Sequence, residues 1–378
     1  MATSEVSTAK GGAIFTEGRR QLAICNACRY CAGYCPVWPA MERHPSPSRE
    51  EMEQLANLCH DCRDCYTACM YTPPHEFALN PPKLFAEIRE ETYDRYIFPF
   101  KLPRAISGIR GLVLIFILCL LTLFGIGYFF GTENWLTTSS GQIYDVFGHV
   151  ALVVFMSTCL IYGLVVTIVG MVRFWHAIRT EGASFFNFSN WGKTVSDILV
   201  LRHMSGGQEG CSYVGGEPSR KRKVGHQLLM YGFIGTFLAT ICAAFMQYAL
   251  GMMPPYSLLS VPVILGSVGG LSALIGSIML MALKPKSDRK ETTERMWQAD
   301  HSLLGGLMAL MLSGFLVTVF RGGAVFPSVL VLHIAMVATA FLVFPRTKFV
   351  HLFFRAISIY QDNLEVRSHM QALQAKNG

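Results

Sequence analysis

Charge is the first scarcity in this 378-residue chain: only 15% of its residues are Asp, Glu, Lys or Arg, while 52% are hydrophobic. A soluble globular chain carries about 25% charged residues, so an ordinary soluble fold is excluded for most of the length. Acidic residues are the rarer sign, 25 against 32 basic, leaving a net charge of +7. Also missing is a basic, apolar, small-residue export signal, because the N-terminal stretch MATSEVSTAKGGAIFTEG is polar and glycine-rich. The leading segment is therefore expected to remain in the cytoplasm. In that reducing compartment, closely spaced cysteines are metal ligands rather than disulfides. Eight of the twelve cysteines fall within the first hundred residues, whereas Cys119, Cys159, Cys211 and Cys242 form no spaced set. Those four are read as small hydrophobes.

The eight clustered cysteines carry the chemistry. Cys25, Cys28, Cys31 and Cys35, followed by Pro36, read C-x2-C-x2-C-x3-C-P; Cys59, Cys62, Cys65 and Cys69 repeat the spacing, with Met70 in place of the proline. This is [4Fe-4S] spacing: three thiolates on one tight loop take three irons, and the fourth cysteine turns away to serve the other cluster. The expected ligand sets are crossed, Cys25, Cys28, Cys31 and Cys69 for one cluster and Cys59, Cys62, Cys65 and Cys35 for the other. A pair of zinc knuckles is the competing reading, but zinc favours two separated C-x2-C pairs over a run of four. Pro73 and Pro74 follow Met70 closely enough to turn the chain. Between the runs, Ser48 and Glu51 form a capping box ahead of Met52, Leu55 and Leu58, which marks a helix start. With further helices around 15–24 and 82–95, residues 1–105 are expected to form an α-helical two-cluster ferredoxin domain. All eight ligands are accounted for, so the domain relays single electrons and offers no open iron to a substrate. His60, inside the second run, and His44 and His75 flanking the runs are read as polar loop residues.

Apolar runs of about 20 residues, long enough to span a bilayer, occur at 110–130, 145–172, 226–250, 261–283, 302–320 and 328–345. They predict a six-helix transmembrane bundle over 106–348, and an all-α chain. The segment 349–378 follows as a cytoplasmic piece whose apolar part, 349–360, is too short to span and is expected to lie along the interface. Loop 173–225 holds Arg173, Arg179, Lys193, Arg202 and the run Arg220 to Lys223, and loop 284–300 holds five more cations. The opposite loops carry only Arg321. By the positive-inside rule both termini face the cytoplasm, as in a multi-pass protein of a bacterial-type inner membrane. The basic excess is thus topological, with the run at 220–223 facing anionic lipid heads, and no nucleic acid is implied.

Ionisable residues inside membrane helices are functional candidates. His149 and His333 are expected at one depth near the outer side, and His226 and His301 at another near the inner side. A haem b held by two imidazoles needs one from each of two helices at a common level, so two pairs are available for one or two haems. The bland reading stands beside this one: His226 and His301 sit where an interfacial histidine needs no cofactor, and His149 and His333 could bond a neighbouring helix or line a quinone pocket. His176, His203 and His351 are read as interfacial, and Asp300 beside His301 as a proton relay. A redox-sensing transporter would use six helices as well, but the spans show no acidic residue in their interiors and no inverted repeat.

The blocks ICNACRYCAGYCPVWPAM, NLCHDCRDCYTACMYTPPHEFALNPP, GCSYVGGEPSRKRKVGHQLLMYGF and WQADHSLLGGLMALMLSGF resemble the citrate-utilisation protein B family, nearest to its tricarballylate-utilisation branch. In that family the missing proline after Cys69 is normal. The resemblance implies two [4Fe-4S] clusters, haem b, and a role in reoxidising the FADH2 of a soluble dehydrogenase, in the nearest branch tricarballylate dehydrogenase, with delivery to the quinone pool. It implies an electron-transfer component rather than a stand-alone substrate dehydrogenase, and leaves open a different flavoprotein, such as one for citrate. It does not say which histidines hold haem.

Overall fold

The computed structural model describes residues 2–97, 108–204, 206, 210–213 and 216–377; the expected domain boundary at 105/106 lies outside the described residues. The N-terminal part is built from α1 (Ala2–Cys28), α2 (Trp38–Arg43), α3 (Arg49–Leu58), α4 (Asp64–Thr67) and α5 (Pro81–Tyr96). Their starts are written locally. The Ser48 side chain accepts from Glu51 N while the Glu51 carboxylate accepts from Ser48 N, and α5 opens with Asn80 Oδ1 accepting from Lys83 N and Pro81 in the first turn. Both devices satisfy amides that a helix start leaves without partners. Phe15, Leu22, Met52, Leu55, Leu58, Leu84, Phe85 and Ile88 close the core of this head.

Six helices are long and apolar enough to cross a membrane: Gly108–Phe130, His149–Ile178, Lys221–Leu250, Val261–Lys286, Glu294–Val319 and Phe326–Arg346. They contain α6 (Gly108–Phe130), α8 (His149–Ile178), α10 (Lys221–Leu250), α11 (Val261–Leu283), α12 (Glu294–Val319) and α13 (Phe326–Val343), with a short α7 (Ile143–Phe147) and α9 (Phe188–Leu199) between them. The 30 residues of α10 measure about 45 Å at 1.5 Å per residue, well beyond a hydrocarbon core of about 30 Å. One end of α10 therefore projects toward the head. The helices α10 and α11 approach backbone to backbone: a Cβ at Gly232 would stand 2.3 Å from Ala273 N and 2.6 Å from Gly269 O. This is the close packing that small residues permit when no hydrophobic effect drives association.

Two features differ from the sequence expectation. The chain is not wholly helical: β1 (Cys211–Tyr213) and β2 (Gly216–Ser219) form an antiparallel hairpin between α9 and α10. It docks on the second cysteine run, where Ser212 N donates to Cys62 O at 3.0 Å and Ser212 Oγ to Asp64 Oδ1 at 2.8 Å. The segment expected to skim the interface belongs to α14 (His351–Asn377), a helix of 27 residues. It buries Phe354, Ile357 and Tyr360 against Tyr96, Phe174 and Trp175, and Ile359 in the core of the head. Further along, Glu365 on α14 accepts from Gln54 on α3 and meets His44 Nε2 at 3.0 Å. Hydropathy registers the run as too short to span; its partners are remote in sequence.

Candidate functional site

Both cysteine runs begin where a helix ends. Cys25 and Cys28 lie in the last turn of α1, which Arg29 stops at φ 57°. Cys59 caps α3, and Asp61 and Arg63 then take φ 57° and 71° before Cys65 rises on α4. Left-handed backbone at a residue other than glycine costs about 1 kcal/mol or more, and three instances here fall inside the two runs. Those kinks turn the thiols inward. One cavity is lined by Cys25, Cys28, Cys31 and Cys69, with Tyr30, Met70 and Leu79 around it. A second is lined by Cys35, Cys59, Cys62 and Cys65, with Trp38 and Phe85 as apolar walls, and reaches Cys25, Cys31 and Cys69.

Electrostatics follows the same partition. Burial pushes the Cys25 thiol up to about 12, and Cys31, Cys69 and Cys28 add to the shift. Burial also raises Cys65 well above an ordinary thiol, helped first by Cys35 and then by Cys62 and Cys59. Crowded thiols of this kind cannot ionise against one another; bound iron would supply the positive charge that lets them. The donor set, eight soft sulfurs around two adjoining cavities, suits iron-sulfur chemistry. Amide groups are aimed at two of the sulfurs, Asp61 N at Cys59 Sγ and Tyr71 N at Cys69 Sγ, each at 3.4 Å.

The two cavities face different surroundings. Cys28, Tyr30 and Met70 are exposed, so the first opens to solvent. The second is locked to the rest of the chain by arginines. Arg63 pairs with Glu291 at 3.0 Å, Arg222 at the start of α10 donates to Asp61 O, and Arg355 on α14 donates to Asn57 O at 3.0 Å and Cys59 O at 2.8 Å. Burial would raise Asp61, but Arg63, Arg222 and Arg89 outweigh it and hold the carboxylate down to about 2. Arg222, expected to face lipid heads, is instead spent on this junction.

Among the described residues, neither His149 and His333 nor His226 and His301 share a ring contact or hydrogen bond. Gly148, at φ 67°, breaks the chain between α7 and α8, which places His149 at the first residue of α8. There it meets Gln247 Nε2 at 3.0 Å and Tyr248. His333 lies within α13 and meets Ser313 Oγ at 2.9 Å. His301 Nδ1 donates to Trp297 O of its own helix at 2.9 Å, while Asp300 is ion-paired with both Lys284 and Lys348. His226 faces His351 instead, with ring centroids 6.3 Å apart and planes at 86°.

Three histidines dismissed from the sequence thus gather at the junction. His60 is buried, its Nδ1 2.8 Å from Leu58 O, and its ring stacks on His203 at 5.6 Å and 12°. Burial lowers His60, His203 and His351 alike, with Arg355 adding to each. A signal existed for one of them: His60 stands inside a cysteine run, where every neighbour is committed to the site.

Comparison with known proteins covers nearly the whole chain. Residues 18–95 match the family model described as the citrate utilization protein B Fer4-like domain, and residues 101–372 match citrate utilization protein B. A curated relative, citrate utilization protein B of Escherichia coli, is 32% identical over 360 residues, which is 94% of each chain. No solved structure matches.

Proposed function

The chain belongs to the citrate utilization protein B family, and from that premise we propose that it carries electrons singly from a reduced flavoprotein into the membrane. The family and the Fer4-like N-terminal domain support an iron-sulfur electron-transfer protein. The observation that supports the finer reading is the pair of adjoining cavities lined by the eight cysteines, the first rimmed by exposed residues and the second tied by arginines to the rest of the chain. On this reading Cys25, Cys28, Cys31 and Cys69 hold one [4Fe-4S] cluster, and Cys59, Cys62, Cys65 and Cys35 the other. Each cluster, when bound, changes oxidation state by one electron.

The chain's own residues then give the path a direction. Exposed Tyr30 and Met70 around the first cavity form the entry, where a soluble FAD-dependent dehydrogenase docks; tricarballylate dehydrogenase is the proposed partner, and a dehydrogenase for citrate the alternative. Arg63, Arg89, Arg222 and Arg355 around the second cavity favour the more negative, reduced state there, which draws electrons toward the bundle. Haem b and the quinone pool are the proposed acceptors, in a bacterial inner membrane with both termini cytoplasmic.

The test mixes membranes containing the protein with the reduced flavoprotein and follows flavin reoxidation. Faster reoxidation than in membranes lacking the chain is expected, and equal rates would sink the proposal. Metal analysis should find about eight non-haem irons per chain, two cubanes' worth; zinc in their place would overturn the cluster assignment.

A further inference from the structure

We propose that His226 and His351 are the two axial ligands of one haem b, set at the junction between the second cysteine cavity and the membrane bundle; this rests on the haem step of the function proposed above. A metal–imidazole bond is about 2.0 Å, and the ring centre lies about 1.15 Å behind the ligating nitrogen, so imidazoles facing one another across one iron have centroids about 6.3 Å apart. The His226–His351 centroids are 6.3 Å apart. The stacked His60–His203 pair, at 5.6 Å, is too close for an iron between facing nitrogens and is a plain ring contact.

One ring nitrogen on each histidine is left to take a metal. His351 Nδ1 is held by Lys348 O, the arrangement that fixes a ring with its other nitrogen free for a metal. His226 Nδ1 is buried without a hydrogen-bond partner, and an orphaned buried nitrogen marks a place where a group belongs. The surroundings are amphipathic in the sense a haem requires. Phe233, two turns along α10 from His226, packs against Phe349 with centroids 5.1 Å apart, giving an apolar wall for the macrocycle. Arg355 lies one helical turn from His351 and, among the described residues, has no carboxylate partner, which suits it to a propionate.

Position supplies the last support. Arg222 precedes His226 by four residues and binds Asp61 O; Arg355 follows His351 by four residues and binds Cys59 O. Each histidine therefore stands one helical turn, about 5.4 Å, from an arginine that touches the loop of the second cysteine run.

The experiment uses the full-length protein in detergent, with the b-type α-band after dithionite and the iron–sulfur EPR signals read on the same samples. His226→Ala and His351→Ala are expected to lose the band and keep the cluster signals; His301→Ala, His149→Ala and His333→Ala are expected to keep both. Should His351→Ala lose everything through misfolding, His351→Met decides, since a Met/His ligand set raises the haem midpoint. A band retained in both alanine variants, or a His351→Met midpoint equal to wild type, overturns the assignment while leaving the haem step standing. A wild-type protein with no b-type band overturns the haem step itself.

Discussion

Arg355 offers the sharpest check on how the junction works. Burial pulls its guanidinium down to about 10, with Arg89 adding to the shift, so it is cationic at neutral pH. Its Nη2 lies 2.8 Å from the Cys59 carbonyl, and its charge is taken as roughly 8 Å from the middle of a cluster held by Cys59. At an effective dielectric of about 20, two unit charges at that separation interact by about 2 kcal/mol. For a one-electron couple, with 59 mV per tenfold, that is about 90 mV. Arg355→Gln keeps a donor for the carbonyls but removes the charge, so the reduced state loses its stabilisation and the second cluster's midpoint should fall by several tens of millivolts. Arg355→Lys, which keeps the charge, should recover most of the shift. The assay is an EPR-monitored redox titration of the purified protein. An unmoved midpoint in Arg355→Gln, with both cluster signals intact, would refute the claim that buried arginines tune the second cavity.

Three further outcomes follow from other parts of the molecule. If the ligand sets cross between runs, Cys69→Ser should perturb the same EPR signal as Cys28→Ser, and Cys35→Ser the same signal as Cys62→Ser; perturbation by run rather than by cavity would count against crossing. His44 lies between Glu51 and Glu365 at 2.9 and 3.0 Å; burial would lower it, but the two carboxylates raise it above 6.5. Because the folded value is the higher one, its contribution is complete below about pH 6.5 and fades as pH rises through the folded value. The melting-temperature gap between wild type and His44→Gln should therefore shrink from about pH 6 to about pH 9, and a gap constant with pH would contradict the pairing. Gly232→Ala forces a Cβ to 2.3 Å from Ala273 N, a backbone atom, and should destabilise the α10–α11 hairpin by about 1–3 kcal/mol, read as loss of resistance to denaturing detergent; full resistance would mean the helices part more easily than their packing indicates.

What the sequence disclosed of this architecture was what is encoded over one or two helical turns or in gross apolar length. The capping box at Ser48, the cysteine spacing and the six apolar runs are all of that kind, and each corresponds to an element in the structure. The histidines were a different problem, because a ligand pair is a relation between helices and linear depth is a poor proxy for it. Counting inward from the ends of an apolar run put His149 and His333 level, but Gly148 starts α8 at His149 itself. His226 was recognised as a candidate, yet its neighbour His351 opens a helix whose hydropathy marks it as neither span nor core.

The packing of α14 has a physical source that also explains the junction. Phe354, Ile357 and Tyr360 recur at helical spacing, but Arg355 and Gln361 interrupt the run and keep its mean hydropathy low. Gln361 is buried and Arg355 half-buried because each has a partner inside: Arg355 at the C-terminal end of α3, and Gln361 beside Thr180 and Glu365. Helix ends leave carbonyls without partners, and the end of α3 is where the second cysteine run begins. A guanidinium that caps those carbonyls therefore also sets the field at the thiols. Structural satisfaction and electrostatic tuning are thus delivered by one side chain, from a helix that membrane-span reasoning alone would set aside.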